Sequence, residues 1–269
     1  MNTVTSKDGT KIAYDVYGQG PAVILVDGAS ATRSFGGSSE LAKSLAQEGF
    51  TTYVYDRRGR GESGETQPRA VEREIEDIEA LIDQAGGTAH LYGISSGGAL
   101  VLEAAAALGE KINKLAVYEV PYIGVESAAS VPAPEKFAEL KQLVKDGKNG
   151  DAFVSYMGNF LPKDMLEGMR QAPFWPMMEA VAPSLVYDAS VMFGRNFTPQ
   201  KEHLEKIAVP ALVLSGDVSM PGGSTAYMPK AAQAIASMVQ HGKYQLLKGQ
   251  SHDVNNEVIA PVLATFYSN

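Results

Sequence analysis

Apolar positions in this chain alternate between two patterns, short continuous runs and longer stretches with one apolar face. The runs Ala22-Val23-Ile24-Leu25-Val26, Thr51-Thr52-Tyr53-Val54-Tyr55, Thr88-Ala89-His90-Leu91-Tyr92, Lys114-Leu115-Ala116-Val117-Tyr118 and Ala211-Leu212-Val213-Leu214 have the length and continuity of strands covered on both faces. Between them the sequence predicts helices from about Ser39 to Glu48, from Val71 to Gln84, and from Gly98 to Leu108. The second of these carries apolar residues at 71, 75, 78, 81 and 82, which share one helical face. A helix from about Ser224 to Val239, the strand Lys243-Tyr244-Gln245-Leu246-Leu247 and a helix near Glu257 to Tyr267 close the chain. Lys11 to Tyr17 alternates instead and follows Asp8-Gly9, which predicts a hairpin at a sheet edge. Repeated strand-helix alternation calls for a mostly parallel, doubly wound α/β sheet with right-handed crossovers.

Between Pro121 and about Val209 this rhythm stops. Pro132, Pro134, Pro162, Pro173, Pro176, Pro183 and Pro199 punctuate short helical stretches, and no strand pattern is convincing. The expected organisation is a core formed by residues 1–120 and 210–269 with a helical lid inserted at 121–209.

Composition narrows the chemistry. A length of 269 residues with 45% hydrophobic residues suits one large α/β domain. The net charge of -8 disfavours nucleic acid and anionic membrane surfaces as partners. Cysteine is absent, which removes disulfides, thiolate metal sites and a cysteine nucleophile. The first residues lack the basic and apolar regions of a signal peptide, and no apolar run has the length of a membrane span. The expectation is a cytoplasmic protein acting on a small molecule, with no metal and no cofactor; oligomeric state is not encoded in these patterns.

Gly93-Ile94-Ser95-Ser96-Gly97 joins a predicted strand to a predicted helix. A turn that sharp strains its middle residue, and glycines two positions to either side remove side chains that would collide. Ser95 is thereby exposed at the strand end as a nucleophile, provided that a base takes its proton. Of four histidines, His90 and His241 lie at the far ends of strands and His203 belongs to the segment leaving the insertion. His252 follows the last strand, at the edge where parallel strands end, and is the candidate base. Asp217, directly after Ala211 to Leu214, is the leading candidate to orient it, although an Asx-turn or cap suits an Asp there equally. Glu119, ending the strand after the nucleophile helix, is the rival.

With Asp56-Arg57-Arg58-Gly59-Arg60-Gly61-Glu62-Ser63 and the element around His252, these residues resemble the α/β-hydrolase superfamily, of the lid-bearing esterase and cofactor-free haloperoxidase type. The resemblance spans essentially the whole chain. It implies the α/β-hydrolase fold, a triad of Ser95, Asp217 and His252, and carboxylic ester hydrolysis first. Lactone or amide hydrolysis, carbon-carbon bond hydrolysis, perhydrolysis, or ligand sensing without turnover are compatible with the same scaffold. Gly59-Arg60-Gly61-Glu62-Ser63-Gly64 also matches a dinucleotide fingerprint, but Glu65-Thr66-Gln67-Pro68 intervenes where a helix must open.

Hydrolysis needs two oxyanion donors. One is the N–H of Ser96. The other, by resemblance, is the N–H of Ala29 in Asp27-Gly28-Ala29, where the family usually has His-Gly-x. A carboxylate facing an oxyanion would repel it, so Asp27 is expected to turn away, paired with Arg57, Arg58 or Arg60; the competing role is a contact with the substrate. The insertion is rich in Met and aromatic residues, and Met157, Trp175 and Met178, with Asp27 and Gly28, are the expected substrate contacts.

Overall fold

The continuous apolar runs form the middle of one eight-stranded sheet in the computed structural model, which describes residues 2–126, 128–193, 197–220 and 225–269. In chain order the strands are β1 (Asn2–Thr5), β2 (Lys11–Tyr17), β3 (Ala22–Val26), β4 (Thr51–Tyr55), β5 (Ala89–Ile94), β6 (Ile112–Tyr118), β7 (Ala211–Gly216) and β8 (Gly242–Leu247). They lie side by side as β1-β2-β4-β3-β5-β6-β7-β8. The hairpin strands β1 and β2 pair antiparallel with each other, and β2 pairs antiparallel with β4; every other pairing is parallel. Parallel strands share an end, so the carboxyl ends of β3, β5, β6, β7 and β8 form one edge, where ligands of open α/β sheets bind.

Helices cover both faces because the strand runs are apolar on both. Helices α1 (Ser39–Gln47) and α11 (Asn256–Ser268) bury Leu41, Leu45, Ile259 and Leu263 against Val23, Leu25 and Val54. On the other face α2 (Val71–Gln84), α3 (Ser96–Leu108) and α10 (Met228–Met238) bury Ile78, Leu81, Val101 and Ile235 against Ile24, Leu91 and Val213. The predicted span of α2 is observed residue for residue. Helix α10 begins later than the pattern suggests, and Ser224 lies outside the described residues. No helix among the described residues is long and apolar enough to cross a membrane.

Between β6 and β7 run α4 (Pro134–Lys145), α5 (Asn149–Met157), α6 (Lys163–Arg170), α7 (Trp175–Val181), α8 (Leu185–Phe193) and α9 (Lys201–Leu204), with no strand among the described residues there. Prolines sit at the starts of α4 and α7, where the missing N–H costs nothing. These helices have a core of their own around Leu140, Phe153, Leu166, Trp175, Met178 and Leu185.

Candidate active site

Ser95 stands at the junction of β5 and α3 with φ 56° and ψ -130°, a backbone conformation that side-chain-bearing residues rarely adopt. Its neighbours permit it by being glycine. A Cβ at Gly97 would lie 2.3 Å from the carbonyl oxygen of Val26, and one at Gly93 would lie 2.7 Å from that of Gly97. The strand end, the helix start and the end of β3 are therefore pressed together around the serine. The Ser95 N–H donates to the carbonyl of Tyr118 at 2.9 Å, tying the turn to β6. Ser96 opens α3, so its N–H has no acceptor within the helix.

His252 takes Glu119 as its carboxylate partner, not Asp217. His252 Nδ1 lies 2.8 Å from Glu119 Oε2, and the other oxygen, Oε1, accepts from the Gly216 N–H at 2.9 Å. Glu119 is 2% exposed and sits at φ 47°, a left-handed kink that turns the chain out of β6. Because β6 lies between β5 and β7 in the sheet, its carboxyl end stands between the serine turn and the histidine loop. Asp217 is exposed and accepts from the Gly249 N–H at 2.6 Å, which ties the loop after β7 to the loop after β8. It holds the loop leading to His252 without touching the ring's hydrogen bond. Tyr118 Oη donates to the Ser251 carbonyl, and a Cβ at Gly216 would lie 2.0 Å from the Gln250 carbonyl oxygen, so the same loop is clamped from β6 and β7.

Ser95 and His252 share a cavity of about 310 Å³ with Gly28 and Ala29. Its remaining wall is mostly apolar, from Ile94 of the core and Pro121, Tyr156, Met157, Phe160 and Leu161 of the inserted segment. Of the expected substrate contacts, Met157 and Gly28 line this cavity and Asp27 does not. Trp175 and Met178 do not line it either: they are buried in the core of the inserted helices, with the Trp175 ring 5.5 Å from that of Phe153. Short helices packed on one another spend their largest apolar side chains on mutual burial before any reach the cavity. Tyr227 and Met228, missed by the sequence reading, also line it. The Tyr227 hydroxyl is buried without a hydrogen-bond partner, and burial together with the nearby Glu119 charge pushes its pKa up. The other histidines stand elsewhere: His90 stacks on Tyr267 with ring centroids 4.7 Å apart, and His203 pairs with Glu103 at 2.7 Å. Among the described residues no group of three or more His, Asp or Glu side chains is arranged to hold a metal ion.

Asp27 turns away from the cavity, but no arginine holds its carboxylate. Oδ1 accepts from the N–H and the hydroxyl of Ser38, while Oδ2 is buried without a partner. Burial raises its pKa to about 6 against the lowering effect of Ser38, Arg60 and Arg57. The arginines grip the main chain instead. Arg57 Nη1 donates to the Asp27 carbonyl at 3.1 Å and Arg60 Nη1 to the Gly28 carbonyl at 2.6 Å. Their acidic partners are Glu74, bound to Arg57 at 2.7 and 2.8 Å, and Asp188 of α8, which meets both arginines and also accepts from Ser96 Oγ at 2.7 Å. Arg58 pairs with Asp77 and Asp8. Burial favours a neutral Asp188, yet Arg57 and Arg60 outweigh it and hold its pKa below the usual carboxylate value. Asp188 escaped the sequence reading; its signal was a lone acid in the otherwise apolar helix Leu185-Val186-Tyr187-Asp188-Ala189-Ser190-Val191-Met192-Phe193.

The sign of the Asp27 shift sets an expected result. Unfolded, the residue titrates near 3.8; folded, near 6, so the folded state holds the proton in that window and its stability falls as pH rises across it. Asp27→Asn has no proton to lose. The variant is expected to match the wild type near pH 4, to exceed it by up to about 3 kcal/mol at pH 7, and to keep activity within about threefold. Thermal unfolding followed from pH 4 to 7, with parallel activity assays, checks both; a large activity loss with unchanged stability would give Asp27 a chemical role.

A model of the alpha/beta hydrolase family matches residues 23–263. The structure is similar to that of an alpha/beta hydrolase from Sphaerobacter thermophilus DSM 20745, with a TM-score of 0.87 and 44% identity over 99% of this chain and all of the other. It shares its fold with the enol-lactonase of Burkholderia xenovorans LB400, at TM-score 0.71 and 18% identity over the whole of both chains. A zearalenone hydrolase of Cladophialophora bantiana is 26% identical over 137 residues, which are 48% of this chain; the chain spans about half the length of that relative.

Proposed function

Because the chain belongs to the alpha/beta hydrolase family, we propose that it is a serine hydrolase that cleaves a small, largely apolar carboxylic ester or lactone through an acyl-enzyme on Ser95. The observation that carries this reading is the Glu119–His252 pair opening onto the same apolar cavity as a serine held on a strained strand-to-helix turn. Glu119 fixes the proton on Nδ1 of His252, leaving Nε2 free as the base. Nε2 takes the Ser95 proton as Oγ attacks the carbonyl carbon. The oxyanion is met by the N–H groups of Ser96 and Ala29, and the imidazolium then protonates the leaving alcohol. Water, deprotonated by the same Nε2, releases the acid and restores Ser95.

The inserted helices, residues 121–209, serve as the lid, closing the cavity with Tyr156, Met157, Phe160 and Leu161. A cavity of about 310 Å³ suits a compact acyl group. Lactones are included because an enol-lactonase shares this fold.

The test is a chain-length series of p-nitrophenyl esters with γ-butyrolactone and δ-valerolactone alongside. Expected kcat/KM is highest for two to six acyl carbons and falls at least tenfold by twelve. No turnover of any ester or lactone would contradict the proposal.

A further inference from the structure

One buried carboxylate on the inserted helices touches the supports of both proposed oxyanion donors. The peptide joining Gly28 to Ala29 is planar and, when trans, points its carbonyl and its N–H in opposite directions. Arg60 Nη1 holds the Gly28 carbonyl at 2.6 Å, so it also fixes where the Ala29 N–H points. One peptide earlier, Arg57 Nη1 holds the Asp27 carbonyl in the same way. Asp188 joins these grips: Oδ1 accepts from Arg57 Nη1 at 2.6 Å and from Ser96 Oγ at 2.7 Å, and Oδ2 accepts from Arg60 Nη2. Arg57, Arg60, Ser96 and Asp188 are each no more than 2% exposed, so water offers none of them a substitute partner.

We propose that Asp188 and Arg60 are positioning residues that set the directions of the Ala29 and Ser96 N–H groups, so that oxyanion stabilisation depends on the docking of helix α8. The inference rests on the reading of those two groups as the oxyanion donors. Each connection has one structural purpose. Arg60 spends its three nitrogens on the Gly28 carbonyl, the Ser184 hydroxyl and Asp188, which leaves the guanidinium a single orientation. Ser96 Oγ anchors the first residue of α3 to the same acid. A neutral or shorter side chain at either position frees the Gly28–Ala29 peptide to rotate, after which a carbonyl rather than an N–H can face the developing negative charge.

Three variants test this: Arg60→Lys, which keeps the charge but donates from a single nitrogen that cannot span acceptors reached by three separate guanidinium nitrogens; Asp188→Asn, nearly the same shape; and Ser96→Ala, which removes one hydrogen bond and little else. Turnover of p-nitrophenyl butyrate is measured per active site, titrated with a fluorophosphonate, so that unfolded molecules do not count. Affinities are measured for 1,1,1-trifluoro-2-hexanone, which forms a tetrahedral adduct on the serine, and for 2-hexanone, which does not.

The expected result for Arg60→Lys and Asp188→Asn is a 10- to 100-fold fall in kcat per site with KM changed less than threefold. Trifluoroketone affinity should fall by a similar factor and 2-hexanone affinity should stay. Ser96→Ala should lose about three- to tenfold in the same pattern and, should the charged-residue variants fail to fold, decides the question alone. Unchanged kcat per site in the folded variants, or equal weakening of both ketones, would overturn the proposal. A wild-type protein that neither turns over the ester nor is labelled fails the underlying hydrolase reading instead, which keeps the two failures distinct.

Discussion

Replacing Glu119 with glutamine is expected to lower kcat by about 10³- to 10⁴-fold, whereas Asp217→Asn should change it by less than about fivefold. The difference follows from what each side chain touches. The glutamine oxygen can still accept from the Gly216 N–H, which leaves its NH₂ group facing His252 Nδ1. An NH₂ donor there forces the proton onto Nε2, the nitrogen that must accept from Ser95, and the buried site offers nothing to stabilise the imidazolium. The loss corresponds to roughly 4–5.5 kcal/mol of transition-state stabilisation. In Asp217→Asn the amide oxygen still accepts from the Gly249 N–H, so the turn before His252 survives. Steady-state kinetics on p-nitrophenyl butyrate with both variants decides, and a severe loss at Asp217 with little at Glu119 would return the acid role to the position that the resemblance implied.

Ser95 yields the other large effect, and it has two sides. Ser95→Ala should reduce kcat by about 10⁴- to 10⁶-fold, since His252 without a nucleophile can only assist water. Stability should move the opposite way in Ser95→Gly. The serine occupies φ 56° and ψ -130°, strain of about 1–3 kcal/mol that glycine does not bear. That inactive variant is expected to melt several degrees above the wild type, or roughly 2–4 °C per kcal/mol for a chain of this size. A Ser95→Gly protein less stable than the wild type would mean that the turn is held by the serine side chain itself.

The sheet was legible because its strands are buried on both faces and therefore written as unbroken apolar runs, and α2 because one face alone is apolar. The serine turn was legible for a steric reason, since glycine is required where the ends of β3, β5 and α3 converge. The choice between Glu119 and Asp217 was not. Both follow strands that end on the same edge, and what separates them is a left-handed backbone at Glu119 that no residue type announces. Asp27 does not line the cavity as an expected substrate contact would, and its carboxylate is bound by Ser38 instead of by an arginine. Three arginines beside one acid suggested an ion pair, but main-chain carbonyls and the distant acids Glu74, Asp77 and Asp188 satisfy them. Trp175 and Met178 show the same limit: apolarity marks a residue for burial without saying whether the cavity or a neighbouring helix buries it.

The central claim, a serine nucleophile raised to reactivity by the Glu119–His252 pair, is tested most directly by covalent labelling. The protein is incubated with a fluorophosphonate, its intact mass is measured, and the modified peptide is sequenced for the wild type, Ser95→Ala and Glu119→Gln. The expected result is one adduct per wild-type chain, located on Ser95, no adduct in Ser95→Ala, and labelling slowed by at least 100-fold in Glu119→Gln. An unlabelled wild-type chain, or an adduct on any residue other than Ser95, would contradict it.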